Sequence, residues 1–484
     1  MRPDYIDRFK SQFQGGLLRL IKGGAVFTDA HQDHAITETA PGHASTMSGR
    51  FPRSTGITRN LAGVNDPDSP LIGSKELGAS PFRFRGTTLT DWLTAADPAT
   101  RALSVSAKDR AAILPIGRSK QQVYWFTTPD VVTTSTWYAD TLPTWVNAFN
   151  ARRLPQNYAG KEWTPLLPDK MYAEADSVPF EAFGRRVTFP HTFPADSVTA
   201  GTLVRFSPMI DEITVALALD GLEQLGLGKG PDTDILAVSL SATDYIGHFY
   251  GPESKEQHDQ IVRLDRLLGR FIDSVYRVRD SSRVIFALTA DHGGSLIPEL
   301  HGWLRVDPEP ALDAVRAAVK AGGGDTTAVD FESGALFVDS TKLGSEGLTT
   351  DRLVSVFEAA SKKVPGVLRV DRFADLAGLD TTKDYIARRW LHMFPEDMAP
   401  AAVMTLKEGN MFNWPLVATH GSPHLYDSHV PMIYYGPPFE PGQYRGFVRT
   451  VDIAPTLARV LGVTPTERLD GHPLLQALRN QDPR

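Results

Sequence analysis

Three clusters of histidine and aspartate lie beside compact apolar runs that read as β-strands. Asp244 and His248 stand four residues apart just after the run 235–240, in Ser241-Ala242-Thr243-Asp244-Tyr245-Ile246-Gly247-His248. Asp291 and His292 leave the run 283–290 and precede Gly293-Gly294, a pair that lets other backbone approach closely. His420, His424 and His429 fall within ten residues of one another, just before the run 431–435. Imidazole nitrogens and carboxylate oxygens are the donors that hold zinc in the absence of thiolates. The chain has no cysteine, so disulfides, thiolate ligands and a cysteine nucleophile are excluded, and any metal must rest on His, Asp and Glu. Taken singly, each cluster reads equally well as a solvated loop. Their recurrence at the carboxyl ends of strands, where open α/β sheets keep their ligand sites, points to one shared centre.

The elements that must position these residues follow from the apolar pattern. Strands are expected at 25–29, 102–106, 235–240, 284–288 and 431–435, each a short buried-type run. Helical periodicity appears at 5–21, 88–96, 212–225, 253–278, 310–321, 350–360 and 453–461, enough to cover both faces of a sheet. The first helix should end at Gly23-Gly24. Thr39-Ala40-Pro41-Gly42-His43 reads as a turn opening a further helix with proline early in it, which sets Thr39 at a helix N-terminus. His43 is expected to be structural, packed within that helix. The alternation of strands and helices predicts an α/β fold. Short aromatic segments broken by proline between 111 and 210 predict an inserted cap, and the irregular stretch 296–403 a second elaboration.

At 484 residues the chain exceeds one ordinary core, so a large α/β domain with insertions has room for a cleft. A formal charge of −7 argues against a nucleic-acid partner, and no apolar stretch is long enough to span a membrane.

In order along the chain, Arg2-Pro3-Asp4-Tyr5-Ile6-Asp7-Arg8-Phe9, Thr39-Ala40-Pro41-Gly42-His43, Gly56-Ile57-Thr58-Arg59-Asn60, Ala107-Lys108-Asp109-Arg110, the Asp244–His248 segment with Gly251-Pro252, Ala290-Asp291-His292-Gly293, His420-Gly421-Ser422-Pro423 and Thr450-Val451-Asp452-Ile453-Ala454-Pro455-Thr456 match one family over nearly the whole length. The chain resembles the alkaline phosphatase superfamily, and within it the threonine-using bacterial phosphate monoesterases of the PafA type. That resemblance implies a three-layer αβα sandwich with a mostly parallel central sheet, formed by residues 1–110 and 211–484 around the cap at 111–210. It implies Thr39 as the nucleophile, transiently phosphorylated, on one zinc ion with Asp291 and His292. A second zinc ion falls to Asp244, His248 and a C-terminal histidine. His420 is favoured for it, because the spacing from His420-Gly421 to Gly436-Pro437 is similar to that of the ligand histidine in nucleotide pyrophosphatases; His429 is second, and His424 lies in the same cluster. Asn60, Lys108 and Arg110 match the substrate-binding trio. Arg110 can fork onto two phosphate oxygens, Lys108 acts as a point charge, and the helix N-terminus at Thr39 adds N–H groups.

Lysine and arginine together offset the two charges of a monoester, which favours small phosphate monoesters over diesters as substrates. The alternatives are a phosphodiesterase or nucleotide pyrophosphatase on the same di-zinc site, or an N-terminally truncated inactive form. A sulfatase is set aside, since its Cys-x-Pro-x-Arg pattern is missing. The third alternative arises because the family carries, ahead of the stretch matching Met1 to Tyr5, a signal peptide and an apolar strand ending in a zinc-ligand aspartate. Asp4 and Asp7 match helix positions and do not replace it. A start codon placed too late, at an internal methionine, would account for this, and the resemblance implies a periplasmic or secreted enzyme.

Overall fold

The runs that read as strands are strands. The computed structural model describes residues 1–128, 131–185, 187–344 and 347–479. Its central strands are β1 (Ala25–His31), β2 (Ala102–Ser106), β3 (Gln122–Phe126), β4 (Val132–Thr133), β5 (Ile235–Ser239), β6 (Phe286–Thr289), β7 (His429–Tyr435), β8 (Gly442–Tyr444) and β9 (Val448–Arg449). They pair as two sheets. One has the order β4-β3-β2-β5, with β2 parallel to both neighbours. The other has the order β8-β1-β7-β6, with β7 antiparallel to β1 and to β6, and β9 parallel to β1 beside it. The first sheet is thus parallel except for its β3–β4 edge, which is antiparallel, and the second is evenly mixed. The reason is the path of residues 290–428, which leave β6 and re-enter β7 at the same end of the sheet.

Each sheet stops on a strand whose outer edge pairs with no described strand, β5 in one and β6 in the other. β2 is buried throughout, but β5 is half-buried along its length and β6 is half-buried or exposed. The two open edges converge at the site: Ser239 at the end of β5 and Asp291 just beyond β6 both reach the ring of His43.

Five helices carry or brace the site: α1 (Gly16–Gly23), α2 (Thr39–Ser48), α3 (Asp109–Ile113), α4 (Ala242–Tyr250) and α5 (Lys255–Val278). The single helix expected over 5–21 is broken into Asp4–Phe9 and α1. Asp265 of α5 explains the break, because its carboxylate accepts the N–H groups of Gln14 and Gly15 at 2.7 Å and of Leu18 at 3.1 Å, capping α1 from another helix. A Cβ on Gly15 would stand 2.2 Å from the Asp265 carbonyl oxygen, so the approach requires glycine.

The expected cap also needs correction at its start. α3, β3 and β4 belong to the main layers, and the aromatic run there is a strand with two buried faces: Tyr124 and Phe126 enter one core, Trp125 the other. Irregular structure follows, from Thr144–Ala151 to the helix Met209–Gln224, and Trp145 packs edge-on to Tyr124 at 5.2 Å, a core role. The stretch expected to be irregular near 296–403 is a regular unit. An antiparallel sheet of Val329–Glu332, Ala335–Val338, Ala402–Leu406 and Val367–Arg372 lies under the helices Glu309–Ala321 and Thr350–Ser361, with its own core around Leu312, Leu336, Phe357 and Met404. No helix among the described residues is long and apolar enough to cross a membrane.

Candidate metal centre

Asp244 and His248 lie one turn apart on α4, so both side chains leave the same face of the helix. That helix starts where it does because Asp211, buried on the helix below, accepts the N–H of Ala242 at 2.9 Å. His420 comes from the loop ahead of β7 and meets them: its Nε2 lies 3.1 Å from His248 Nε2 and 3.5 Å from Asp244 Oδ1, with His248 Nε2 3.4 Å from that same oxygen. Asp291 and His292 follow β6. His292 Nε2 is 3.3 Å from Asp291 Oδ2 and 3.7 Å from Asp244 Oδ1, and its ring stacks on His420 with centroids 3.4 Å apart.

The second nitrogens of these rings decide their protonation. His248 Nδ1 faces the Ala418 carbonyl at 2.9 Å, His420 Nδ1 faces Thr37 O at 2.8 Å and His292 Nδ1 faces Gly293 O at 3.0 Å. A carbonyl only accepts, so each Nδ1 carries a proton, and His248 and His420 present Nε2 lone pairs inward. Two lone pairs 3.1 Å apart repel, while His292 Nε2 stands 3.3 Å from Asp291 Oδ2. A cation at the centre would relieve the first contact and take the place of a proton in the second, and the donor chemistry fits zinc.

Electrostatics agree. Burial raises the cost of charge on Asp244 and Asp291, yet the surrounding imidazoles, together with the Lys108 ammonium at Asp244, hold both carboxyls well below the usual range. Burial keeps His248 and His420 low and therefore neutral, while at His292 it is outweighed by Asp291 and Asp244, which raise that ring. Lys108 Nζ is paired with Asp244. Arg110, in the first turn of α3, has its Nε buried without a partner among the described residues.

Thr39 begins α2 and is buried. The N–H of Ala40 donates to Asn60 Oδ1 at 2.9 Å, which fixes the Asn60 amide against the first turn of the helix with its NH2 still to give. The helix is pressed onto the aspartate loop: a Cβ on Gly42 would lie 2.2 Å from Asp291 O. The expected residues thus gather around the start of α2 from five separate segments. His424 and His429 do not join them. His424 Nε2 points to Leu406 O at 2.8 Å, and His429 Nε2 to Thr28 O at 3.0 Å. Asp4 is held by Arg2 and Asp7 by Lys10, as their helix positions imply. Met1 reaches the centre itself, its amino group donating to His292 O at 2.6 Å.

Two residues escaped sequence reasoning. His43, expected to pack within its helix, has Nε2 3.6 Å from Asp291 Oδ2 and 3.3 Å from Ser239 Oγ, and burial pushes its pKa down to about 4. Glu38, just before Thr39, accepts the Asn60 N–H at 2.7 Å through one oxygen and the Ser333 hydroxyl at 2.7 Å through the other. Its only local signal is a carboxylate next to the helix start.

Residues 1–337 match the family described as type I phosphodiesterase / nucleotide pyrophosphatase. Alkaline phosphatase PhoK of Sphingomonas sp. is 33% identical over 510 residues, covering 97% of this chain and 88% of that protein. Alkaline phosphatase PhoV of Synechococcus elongatus is 30% identical, over 96% of this chain and 88% of its own length. The crystal structure of wild-type alkaline phosphatase PafA superposes with a TM-score of 0.91 at 26% identity, covering 99% of this chain and 97% of that one.

Proposed function

The chain belongs to the type I phosphodiesterase / nucleotide pyrophosphatase family and, within the alkaline phosphatase superfamily, to the PafA-type alkaline phosphatases, and from this we propose that it hydrolyses phosphate monoesters with two zinc ions and a phosphothreonine at Thr39. The observation that carries the reading is the inward convergence of the His248, His420 and His292 Nε2 atoms on Asp244 and Asp291, each ring fixed by a carbonyl behind it. Asp244, His248 and His420 would hold one ion, and Asp291, His292 and the Thr39 oxygen the other. Bound there, a zinc pair supplies Lewis acidity that lowers the pKa of a coordinated hydroxyl or water towards about 7 and neutralises charge developing on phosphoryl oxygens.

The chain's own residues do the rest. Thr39 Oγ1 forms a bond to phosphorus as the ester P–O bond breaks in line behind it and the alcohol leaves. Water then attacks phosphorus from the vacated side, phosphate leaves, and Thr39 recovers its hydroxyl. The Asn60 amide would face the phosphoryl oxygens, and of the first turn of α2 only the Thr39 N–H would join it, since the Ala40 N–H is held by Asn60 Oδ1, Pro41 has none and the Gly42 N–H goes to Glu38 O. Lys108, paired with Asp244 while no metal neutralises that carboxylate, is free to turn to the substrate once one does. Arg110 offers its fork to two oxygens. This pair of cations supports a monoester, whose two charges both need partners, over a diester. On the family resemblance we also propose that the enzyme acts in the periplasm or outside the cell.

The test is hydrolysis of p-nitrophenyl phosphate beside bis-p-nitrophenyl phosphate with zinc added, using the parent and Thr39→Ala. Monoester turnover that vanishes in Thr39→Ala, together with radiolabel trapped on Thr39 in the parent, supports the reading. A diester preference would transfer it to the phosphodiesterase alternative.

A further inference from the structure

A second group of metal-donor side chains lies where β1 meets β7, and the reaction above does not use it. Asp29, His31 and His429 each bring one ligand atom within 4.8 Å of the others. Asp29 and His31 are two residues apart on β1, and His429 sits directly opposite His31 in the antiparallel register. Donors at i and i+2 with a third across the ladder face one way and meet at one point. The register shifts between Phe27 and Ala30, where the partner strand carries Pro431, which has no N–H for the ladder. In that bulge the Asp29 carboxylate turns onto the His31 ring, with Oδ1 2.8 Å from Nε2.

Both imidazoles are oriented from behind, as metal-binding rings are. His429 Nε2 faces the Thr28 carbonyl at 3.0 Å, so it carries the proton and Nδ1 keeps its lone pair. His31 Nδ1 lies 3.1 Å from Ser428 Oγ, with Arg389 Nη2 at 3.4 Å and the Arg389 charge met by Asp33 at 3.3 Å.

We propose that Asp29, His31 and His429 form a further divalent transition-metal site of the zinc class, separate from the catalytic centre, which clamps β1 to β7. In the metal-free site, the proton on His31 Nε2 holds Asp29 Oδ1. When an ion binds, that proton passes to Nδ1 and is donated to Ser428 Oγ, Arg389 Nη2 gives up its contact with Nδ1 while its other bonds to Asp33 and Pro423 O remain, and the ion takes Nε2, His429 Nδ1 and an Asp29 oxygen. Solvent supplies any remaining ligand, since Asp29 is 44% exposed. The clamp would stiffen the strand from which the chain runs on through Gln32 and Asp33 to Thr39. This inference does not rest on the catalytic reading.

Zinc per chain after equilibrium dialysis tests it, on the full chain and on Asp29→Asn and His429→Gln, neither of which removes a buried side chain. Each variant is expected to hold one equivalent less than the parent while hydrolysing p-nitrophenyl phosphate at the parent rate. A second reading uses Asp244→Asn/Asp291→Asn/His420→Ala, in which a ligand of each catalytic ion is removed: zinc should still raise its Tm, and adding His429→Gln should abolish that rise. Equal zinc content in parent and variants, or a Tm rise untouched by His429→Gln, would overturn the proposal.

Discussion

Replacing Gly42 by alanine puts a methyl group into the contact between the nucleophile's helix and the aspartate loop. The new Cβ would stand 2.2 Å from Asp291 O and 2.9 Å from its Cα, where ordinary contact begins at 3.4 Å. Both sides are backbone, so no side chain can turn away, and the gap must open by about 1.2 Å. Thr39 lies on the same first turn as Gly42, so the opening separates its oxygen from Asp291 and His292 by a similar amount. A misplacement of about 1 Å costs roughly 10²-fold in rate, equivalent to about 2.7 kcal/mol of transition-state stabilisation. Overpacking of this kind lowers stability by only about 1–3 kcal/mol, so the variant should still fold. The assay is kcat for p-nitrophenyl phosphate at saturating zinc, with a thermal unfolding curve for each protein. Gly378→Ala, at a position with nothing within 4 Å, serves as the control and should change neither. A folded Gly42→Ala enzyme within threefold of the parent kcat would refute the claim that this contact sets the nucleophile's position.

Asp211 carries a pH prediction, because burial pushes its carboxyl up to about 7. Below about pH 4 the carboxyl is neutral folded and unfolded; between about pH 4 and pH 7 the unfolded chain releases this proton while the fold retains it, so stability falls across that window by on the order of 4 kcal/mol. Asp211→Asn should therefore raise Tm at pH 8 and leave it unchanged at pH 4, with the unpartnered Gln260 Oε1 free to accept the new amide; an equal shift at both pH values would contradict this. Lys108→Ala and Arg110→Ala should each lower kcat/KM for the monoester by roughly 10–100-fold, the value of a charged hydrogen bond, and change diester hydrolysis by less than threefold. Chelation should abolish turnover and zinc should restore it; His420→Ala should lose this rescue and His424→Ala should keep it, as read by activity against added zinc.

The places of the His and Asp clusters were legible because the strands ahead of them are short, apolar and bounded by Gly or Asp-His steps, so the ends of the strands could be placed from local pattern alone. Choosing among three histidines by pattern was harder. Distances make His420 the member that meets Asp244, while His424 is turned to Leu406 and His429 to Thr28. What stayed hidden depends on partners distant in sequence. Nothing around Gly15 announces Asp265, which breaks the first helix, and nothing around His43 announces Asp291. The aromatic run Tyr124-Trp125-Phe126 was read as part of the cap because proline-rich, irregular sequence follows it. Its alternation between two cores becomes visible only once β2 is beside it.

Glu38 has a consequence for how the molecule can be taken apart. Its two oxygens tie Asn60, on the loop after the nucleophile's helix, to Ser333, in the turn between Val329–Glu332 and Ala335–Val338. The outlying α+β unit thus meets Asn60 through the Glu38 carboxylate, beside the ion pair of Arg59 with Glu332 at 2.7 Å. A shortened enzyme with that unit deleted would keep every residue of the metal centre but lose the anchor that sets Asn60, and Glu38 would be left buried with one oxygen unmatched. On the proposed function, the outlying unit would thereby help to set the active site, and trimming it for a smaller catalyst would require a new partner for Glu38 first.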